Sequence, residues 1–307
     1  MSSLVRAKTD RGFTSILGGE IGTAGIRFGI LRLEEGCAGG RDLDLASPVF
    51  EEDSGLSEVA LVILGGKCIV ETAGKRWGPV GERDSVFAGR ATAVYVPPRT
   101  RYRVSPVGAV EIAICGAPCG ARCGRSRDAE GAEGAESADS RDSVDDAAGR
   151  EPQIVTPDLV VANVRGTGNF RREVHDIIAS NVNAHRLVVG ETFTPAGNWS
   201  SYPPHKHDID DLPHEVKMEE VYFFKVRPGH GFGVQVIYQS SPEPREEAYV
   251  VRDGDAVFIE SGYHPVVTAP GYDLYYLWVM AATGARPVRT LVPRTDPAHA
   301  WVEAGAP

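Results

Sequence analysis

No apolar run in the 307 residues approaches the roughly 20 needed for a membrane-spanning helix. The opening MSSLVRAKTDRGFTSILGG also has no continuous apolar stretch of the kind that marks a secretory leader. A cytoplasmic protein with no membrane partner is therefore expected. No basic stripe is present either. The formal charge is −10, of which −7 comes from the stretch Asp128 to Glu151, where nine acids face two bases. The remainder is close to neutral, so nucleic acid is not an expected partner. Cysteine is scarce and odd in number, five in all, which argues against a disulfide framework. Cys115, Cys119 and Cys123 form a C-x3-C-x3-C run, but no fourth ligand is near them in sequence. We read them, with Cys37 and Cys68, as reduced, incidental thiols.

Glycine and proline, at 35 and 21 residues, are plentiful and suit short strands joined by turns. Residues 124–152 contain no aromatic and a single valine, and cannot bury enough apolar surface to offset their ordering entropy. They read as an acidic disordered linker between an N-terminal unit, 1–123, and a C-terminal unit, 153–307. In the first unit VALVILGGKCIVETAG has strand-like runs around a Gly65-Gly66 turn signal. In the second, HRLVVGETFTP, EEVYFFKV, GFGVQVIYQ and GYDLYYLWVMA follow the same style. The pattern predicts an all-β chain of sandwich or barrel type. NFRREVHDIIA, residues 169–179, reads as a short helix. GERDSVFAGRATAVYVPPRT and VRDGDAVFIESGYHPV echo each other, each with a charged turn, a Val-Phe strand and a second turn, and point to two related barrels.

The second unit carries the chemistry. Side chains two apart on a strand share a face, so His205 and His207 point one way and Lys206 the other. In the strand opened by Glu219-Glu220, one carboxylate faces an interior while its neighbour faces away. His264 follows the turn Ser261-Gly262-Tyr263. Imidazole nitrogen and carboxylate oxygen converging in a barrel suit Zn²⁺, Mn²⁺ or Fe²⁺, with Zn²⁺ favoured.

H-x-H, a Glu-led apolar strand and G-D-x-V-x-x-x-x-G-x-H together resemble the motifs of the cupin superfamily. More narrowly, GNWSSYPPHKHD, EEVYFF, GFGVQ, GYHPV and APGYDLYYLWVMA are similar to the 5-deoxy-glucuronate isomerases of bacterial inositol catabolism. GERDSVFAGRATAVYVPPRT and RGTGNFRREVHDII fit as well, so the likeness covers most of the chain outside the acidic segment. The resemblance implies a bicupin of two β-barrel (jelly-roll) domains, the first without a metal site. It implies one divalent metal ion on His205, His207, Glu220 and His264. Glu220 is preferred over Glu219 because the cupin glutamate directly precedes the apolar run of its strand.

The implied reaction converts an aldose, 5-deoxy-glucuronate, into a ketose, 5-dehydro-2-deoxy-gluconate, through an enediol(ate). The metal stabilises charge on oxygen and a neighbouring base carries the proton. Glu191 and Tyr238 are the candidates for that catalytic role. Arg172, suited to a bidentate grip on the substrate carboxylate, is taken as substrate-binding with Tyr222, Gln235 and Tyr275. Rival readings are the uronate ketol-isomerase of pectin breakdown, a dioxygenase on the same ligands, and a non-catalytic sugar-binding bicupin. A homo-oligomer is compatible with exposed sheet faces.

Overall fold

The computed structural model describes residues 3–6, 11–17, 25–35, 48–72, 74–119, 149–239, 244–283 and 287–303. Most of the expected acidic linker, together with Cys37 and Cys123, lies outside the described residues. In the first half run β1 (Ser3–Arg6), β2 (Gly12–Leu17), β3 (Arg27–Glu34), β4 (Phe50–Asp53), β5 (Ser57–Thr72), β6 (Lys75–Val80), β7 (Thr92–Val96) and β8 (Arg101–Pro118). After the acidic segment come β9 (Gln153–Val155), β10 (Val161–Arg165), β11 (Arg172–Ile178), β12 (Leu187–Thr194), β13 (Trp199–Ser200) and β14 (His205–Lys206). The rest are β15 (Met218–Arg227), β16 (Gly233–Gln239), β17 (Arg245–Val251), β18 (Asp255–Ile259), β19 (Val266–Thr268), β20 (Asp273–Ala282) and β21 (Arg294–Thr295). Among the described residues the helical elements are single 3₁₀ turns, and no helix is long and apolar enough to cross a membrane.

The protein is all-β, as its turn-rich composition predicts. An eight-stranded sheet, β2-β3-β8-β5-β7-β9 with β4 and β6 alongside, organises the first half. A seven-stranded sheet, β1-β18-β15-β20-β12-β11-β10, and a four-stranded sheet, β13-β19-β16-β17, organise the second. Pairing crosses between the halves at two places. Ser3 to Arg6 lie antiparallel to Phe258 to Asp255, and Gln153 to Val155 lie beside Tyr95 to Ala93.

The seven-stranded sheet is apolar on both faces. Val189, Val221, Phe223, Phe258, Tyr275 and Leu277 pack against Phe28, Ala60, Val62 and Ala113 of the first half. One residue along, Val188, Tyr222, Phe224, Tyr276 and Trp278 pack with Ile237, Val251 and Val266 of the four-stranded sheet. Fully burying a side chain of this size is worth about 1.5–3 kcal/mol. The period-2 alternation of β12, β15 and β20 therefore fixes which side chains meet the other half and which look into the second.

Three local expectations are corrected. Gly65-Gly66 is not a turn. β5 runs through it with register shifts at Ile63/Gly65 and Gly66/Lys67. A Cβ on Gly66 would sit 2.0 Å from the Ala109 carbonyl oxygen, so the pair allows a bulge and a close backbone approach. Val86-Phe87 is not a strand but lies in the turn closed by Ala88 N–H to Ser85 O, and β7 begins only at Thr92. The segment 169–179 is not a helix but a 3₁₀ turn, Gly168–Phe170, followed by β11. A register shift between Asp176 and Ile178 leaves Val174, Ile177 and Ile178 buried. That i, i+3, i+4 spacing imitates one side of a helix.

Candidate metal centre

His207 is bound to the start of β15 twice. Its carbonyl accepts from Met218 N–H at 2.9 Å, and its Nδ1 donates to Met218 O at 2.9 Å. His264 Nδ1 donates to Gly262 O at 2.9 Å. Carbonyl oxygens only accept, so each ring carries its proton on Nδ1 and presents a lone pair on Nε2. Both lone pairs point at the same atom. Glu220 Oε2 lies 3.0 Å from His207 Nε2 and 3.3 Å from His264 Nε2. His264 Nε2 is buried with no hydrogen-bond partner. Three acceptors meeting in a buried space repel unless a cation lies among them, and carbonyl-locked imidazoles are how proteins orient metal ligands. The donor atoms of His207, Glu220 and His264 all lie within 4.8 Å of one another. The residues fit a divalent ion.

His205 stands at the edge of this group. Its ring centroid is 4.9 Å from that of His264, and its Nε2 is 3.5 Å from Ser201 Oγ. Burial lowers its pKa to about 3, helped by the charges of His207 and Arg172. Burial likewise lowers His264 to about 3 against the opposing pull of Glu220. For His207 burial also lowers the pKa, but the hydrogen bond to Glu220 that the ring gains when Nε2 takes a proton in place of a cation, together with the charge of Glu220, outweighs it and the net shift is upward.

The loop carrying the H-x-H pair is held by buried charge. Lys206 points away from the centre, as strand alternation requires, and pairs with Asp208 and with Glu215 Oε1, the latter at 3.0 Å. Glu215 Oε1 also accepts from Asp208 N–H at 2.7 Å and Ile209 N–H at 3.0 Å. Asp208 Oδ2 accepts from Gly262 N–H at 2.8 Å, which ties this loop to the turn before His264.

A cavity of about 480 Å³ opens beside the centre, lined in part by His205, His207, Glu220, Tyr222, Ser201 and Arg172. Tyr222 stacks on Tyr276 with centroids 4.4 Å apart, and its hydroxyl lies 3.4 Å from Ser201 Oγ. Of the residues expected at the site, the structure thus brings His205, His207, Glu220, His264, Arg172 and Tyr222 together. Glu219 faces the first half, where it accepts from Gly25 N–H at 2.9 Å.

Four expected residues are elsewhere. Glu191 and Tyr275 leave the opposite face of the seven-stranded sheet. Glu191 accepts from Arg83 Nη1 at 2.9 and 3.0 Å and meets His175 Nδ1 at 3.1 Å, while Tyr275 packs edge-on against Phe193 at 5.3 Å. Gln235 lies behind His264, donating to its carbonyl at 2.8 Å, and so positions that ligand from the core. Tyr238 is on the outer face of β16 and donates to Asp296 Oδ2 at 2.6 Å beside a separate shallow hollow. Sequence reasoning missed Ser201, Thr192 and Arg165 as cavity residues, and read Tyr276 and Trp278 as core and barrel wall rather than a sugar platform, whereas both line the cavity. The strand register, which stacks Thr192 beside Tyr276 and Arg165 beside Arg172, identifies those on strands, and Ser201 emerges from its contacts with His205 and Tyr222.

The Glu191 network makes stability depend on pH. Burial alone would lower the His175 pKa, but its bonds to Glu191 and Glu173 raise it above the ordinary value. A raised folded pKa means that His175 stabilises the fold fully below about pH 6.5 and that this stabilisation is lost as pH rises through the folded value. Thermal melts of the wild type should fall by about 1–3 °C across that window, whereas His175→Gln should lack the step. Identical slopes for the two proteins would contradict this assignment.

Comparison with known proteins places this geometry. A family model described as the KduI/IolB family matches residues 5–138 and 141–302. The chain is 42% identical over 247 residues to the 5-deoxy-glucuronate isomerase of Geobacillus kaustophilus, covering 80% of this chain and 78% of that one. It is 33% identical over 268 residues to the enzyme of the same name from Bacillus subtilis strain 168, covering 85% of each. Among solved structures, an IolB-like protein from Salmonella typhimurium LT2 superposes with a TM-score of 0.79 at 28% identity, covering 98% of each chain. An oxalate decarboxylase from Lactobacillus farciminis, a likeness of fold alone, gives a TM-score of 0.59 at 9% identity, covering 98% of this chain and 88% of that one.

Proposed function

The chain belongs to the KduI/IolB family, and from that premise we propose that it converts 5-deoxy-glucuronate, an aldehyde, into the ketone 5-dehydro-2-deoxy-gluconate. Relatives at 42% and 40% identity are named for this activity, which favours it over the pectin-pathway uronate. The reaction neither adds nor removes atoms. A hydrogen leaves the carbon next to the aldehyde, one is delivered to the aldehyde carbon, and the hydroxyl proton moves between the two oxygens by way of an enediol(ate).

The observation that carries this reading is the pair of imidazoles locked at Nδ1 with their free Nε2 atoms on one carboxylate oxygen. His207, Glu220 and His264 would hold the ion, with His205 completing the set and Zn²⁺ ahead of Mn²⁺ or Fe²⁺. Such an ion would supply Lewis-acid stabilisation of the charge that develops on oxygen. Ser201 and Tyr222 place two hydroxyls beside this centre, where they orient the sugar oxygens and donate to the oxygen on which charge develops. The stacked Tyr222 and Tyr276 give the cavity an apolar wall beside these hydroxyls. Neither Glu191 nor Tyr238 reaches this cavity, so the proton carrier is sought among the residues that do.

Turnover in D₂O tests the reading. Metal-loaded protein should convert 5-deoxy-glucuronate without oxygen and place solvent deuterium in the ketose, and chelated protein should do neither. Turnover that survives complete removal of metal, or that consumes oxygen, would sink it.

A further inference from the structure

One wall of the cavity carries two arginines that form no ion pair among the described residues. Arg165 ends β10 and Arg172 opens β11, and the two are direct cross-strand partners. Side chains directly opposed on an antiparallel ladder leave the same face, and both line the cavity. Like charges in this position destabilise a sheet. Arg172 Nη1 donates to Phe170 O at 3.2 Å, and neither guanidinium has a carboxylate ion-pair partner among the described residues. Asp176 and Glu303 also line the cavity but act on the pair only at longer range.

The hairpin is shaped around this pair. Gly166, at φ +72°, turns the chain between them, and a Cβ there would lie 2.8 Å from Arg172 Nη1 and 2.4 Å from Phe170 O. Only glycine lets the backbone turn and leaves the guanidinium its place.

Distance fits a substrate between the two ends. β11 is separated from β15 by β12 and β20, three spacings of about 4.8 Å, or roughly 14 Å along a flat sheet and less along a curled one. Arg172 extends inward from one side of this span and Glu220 from the other. The gap between a guanidinium and the metal centre is then of the order of a short carbon chain.

We propose that Arg165 and Arg172 form a carboxylate clamp that holds the acid end of the substrate and so sets which end lies at His207, Glu220 and His264. This rests on the isomerase reading above and deepens it by assigning recognition of the acid end to these two side chains. Arginine suits the role because its planar fork matches a carboxylate and it stays charged at any working pH.

The test uses the full-length, metal-loaded chain with 5-deoxy-glucuronate and its primary amide, which has the same shape without the charge. Arg165→Gln and Arg172→Gln should each raise KM for the acid by about 10- to 100-fold, the size of a charge-assisted hydrogen bond. They should leave KM for the amide close to that of the wild type, and Arg172→Lys should restore part of the loss. Equal losses on acid and amide, or no loss on the acid, would overturn the clamp. If the wild type turns over neither compound, the isomerase reading fails, and titration with glutarate decides the clamp by itself. Binding that weakens with salt and disappears in the double variant supports it. No binding, or binding unchanged in the double variant, refutes it. Arg165 is exposed and Arg172 half-buried, so melting curves close to wild type are expected for each variant.

Discussion

Changing His264 to alanine should remove both the bound metal and turnover, with a loss in kcat/KM of at least about 10³-fold. The ring is fully buried, its Nδ1 is committed to Gly262 O, and its Nε2 has no role within the protein except to face Glu220. A structural histidine of the core would use both nitrogens, or shed the polar one. The neighbouring carboxylates supply an internal control. Glu220→Gln should lose metal as His264→Ala does, because an amide in that place turns a donor group toward one of the two imidazole lone pairs or offers only a weaker, neutral oxygen. Glu219→Gln should keep it, because that side chain leaves the other face of β15 toward Gly25. Elemental analysis and a rate assay on the three variants check the whole assignment. Full metal content and full rate in His264→Ala would mean that the cluster is an ordinary buried polar group.

The second large effect is on folding. Glu58 is fully buried and accepts from the backbone N–H groups of His185, Arg186 and Leu187 at 2.7, 2.6 and 2.7 Å, and from the Tyr95 hydroxyl at 2.8 Å. It lies in β5, so a first-half carboxylate terminates the chain's entry into β12 of the second half. Glu58→Ala would strand several buried donors at once. Each costs about 1–3 kcal/mol when unsatisfied, so a loss of about 4 kcal/mol and a fall in Tm of roughly 8 °C or more are expected. Glu58→Gln keeps one acceptor oxygen and should fall between. Calorimetry or a dichroism melt decides it. An alanine variant melting within a degree or two of the wild type would show that water replaces the carboxylate at no cost.

The sequence and the structure agree most closely where polar side chains sit at neighbouring positions of one short segment, so that alternation separates them. Glu219-Glu220 before Val-Tyr-Phe-Phe announced a strand whose two carboxylates take opposite faces; the preference for Glu220 came from the cupin resemblance, and β15 places Glu220 beside His207. His205, Lys206 and His207 were legible for the same reason. Glu191 and Tyr275 were not, because β12 and β20 belong to a sheet buried on both sides. LVVGETFT and DLYYLWVMAA show no regular alternation of apolar and polar residues, which conceals which face each residue takes. β11 misled through its irregularity, the bulge at Asp176 replacing a two-residue rhythm by a three-and-four one. The arginine pair was half visible. Arg172 has the right chemistry for a carboxylate, but its partner Arg165 becomes apparent only when β10 folds back along β11.

The lacing of the two halves bears on how this protein is made. Ser3 to Arg6 add to β18 at Phe258 to Asp255, so β1 leaves the ribosome about 250 residues ahead of its partner. At about 5–20 residues per second that delay is roughly ten seconds to a minute, during which β1 has no edge of its own to join. A bulky fusion attached just ahead of β1 would hinder this late closure, whereas the same fusion beyond the last described strand would leave it free.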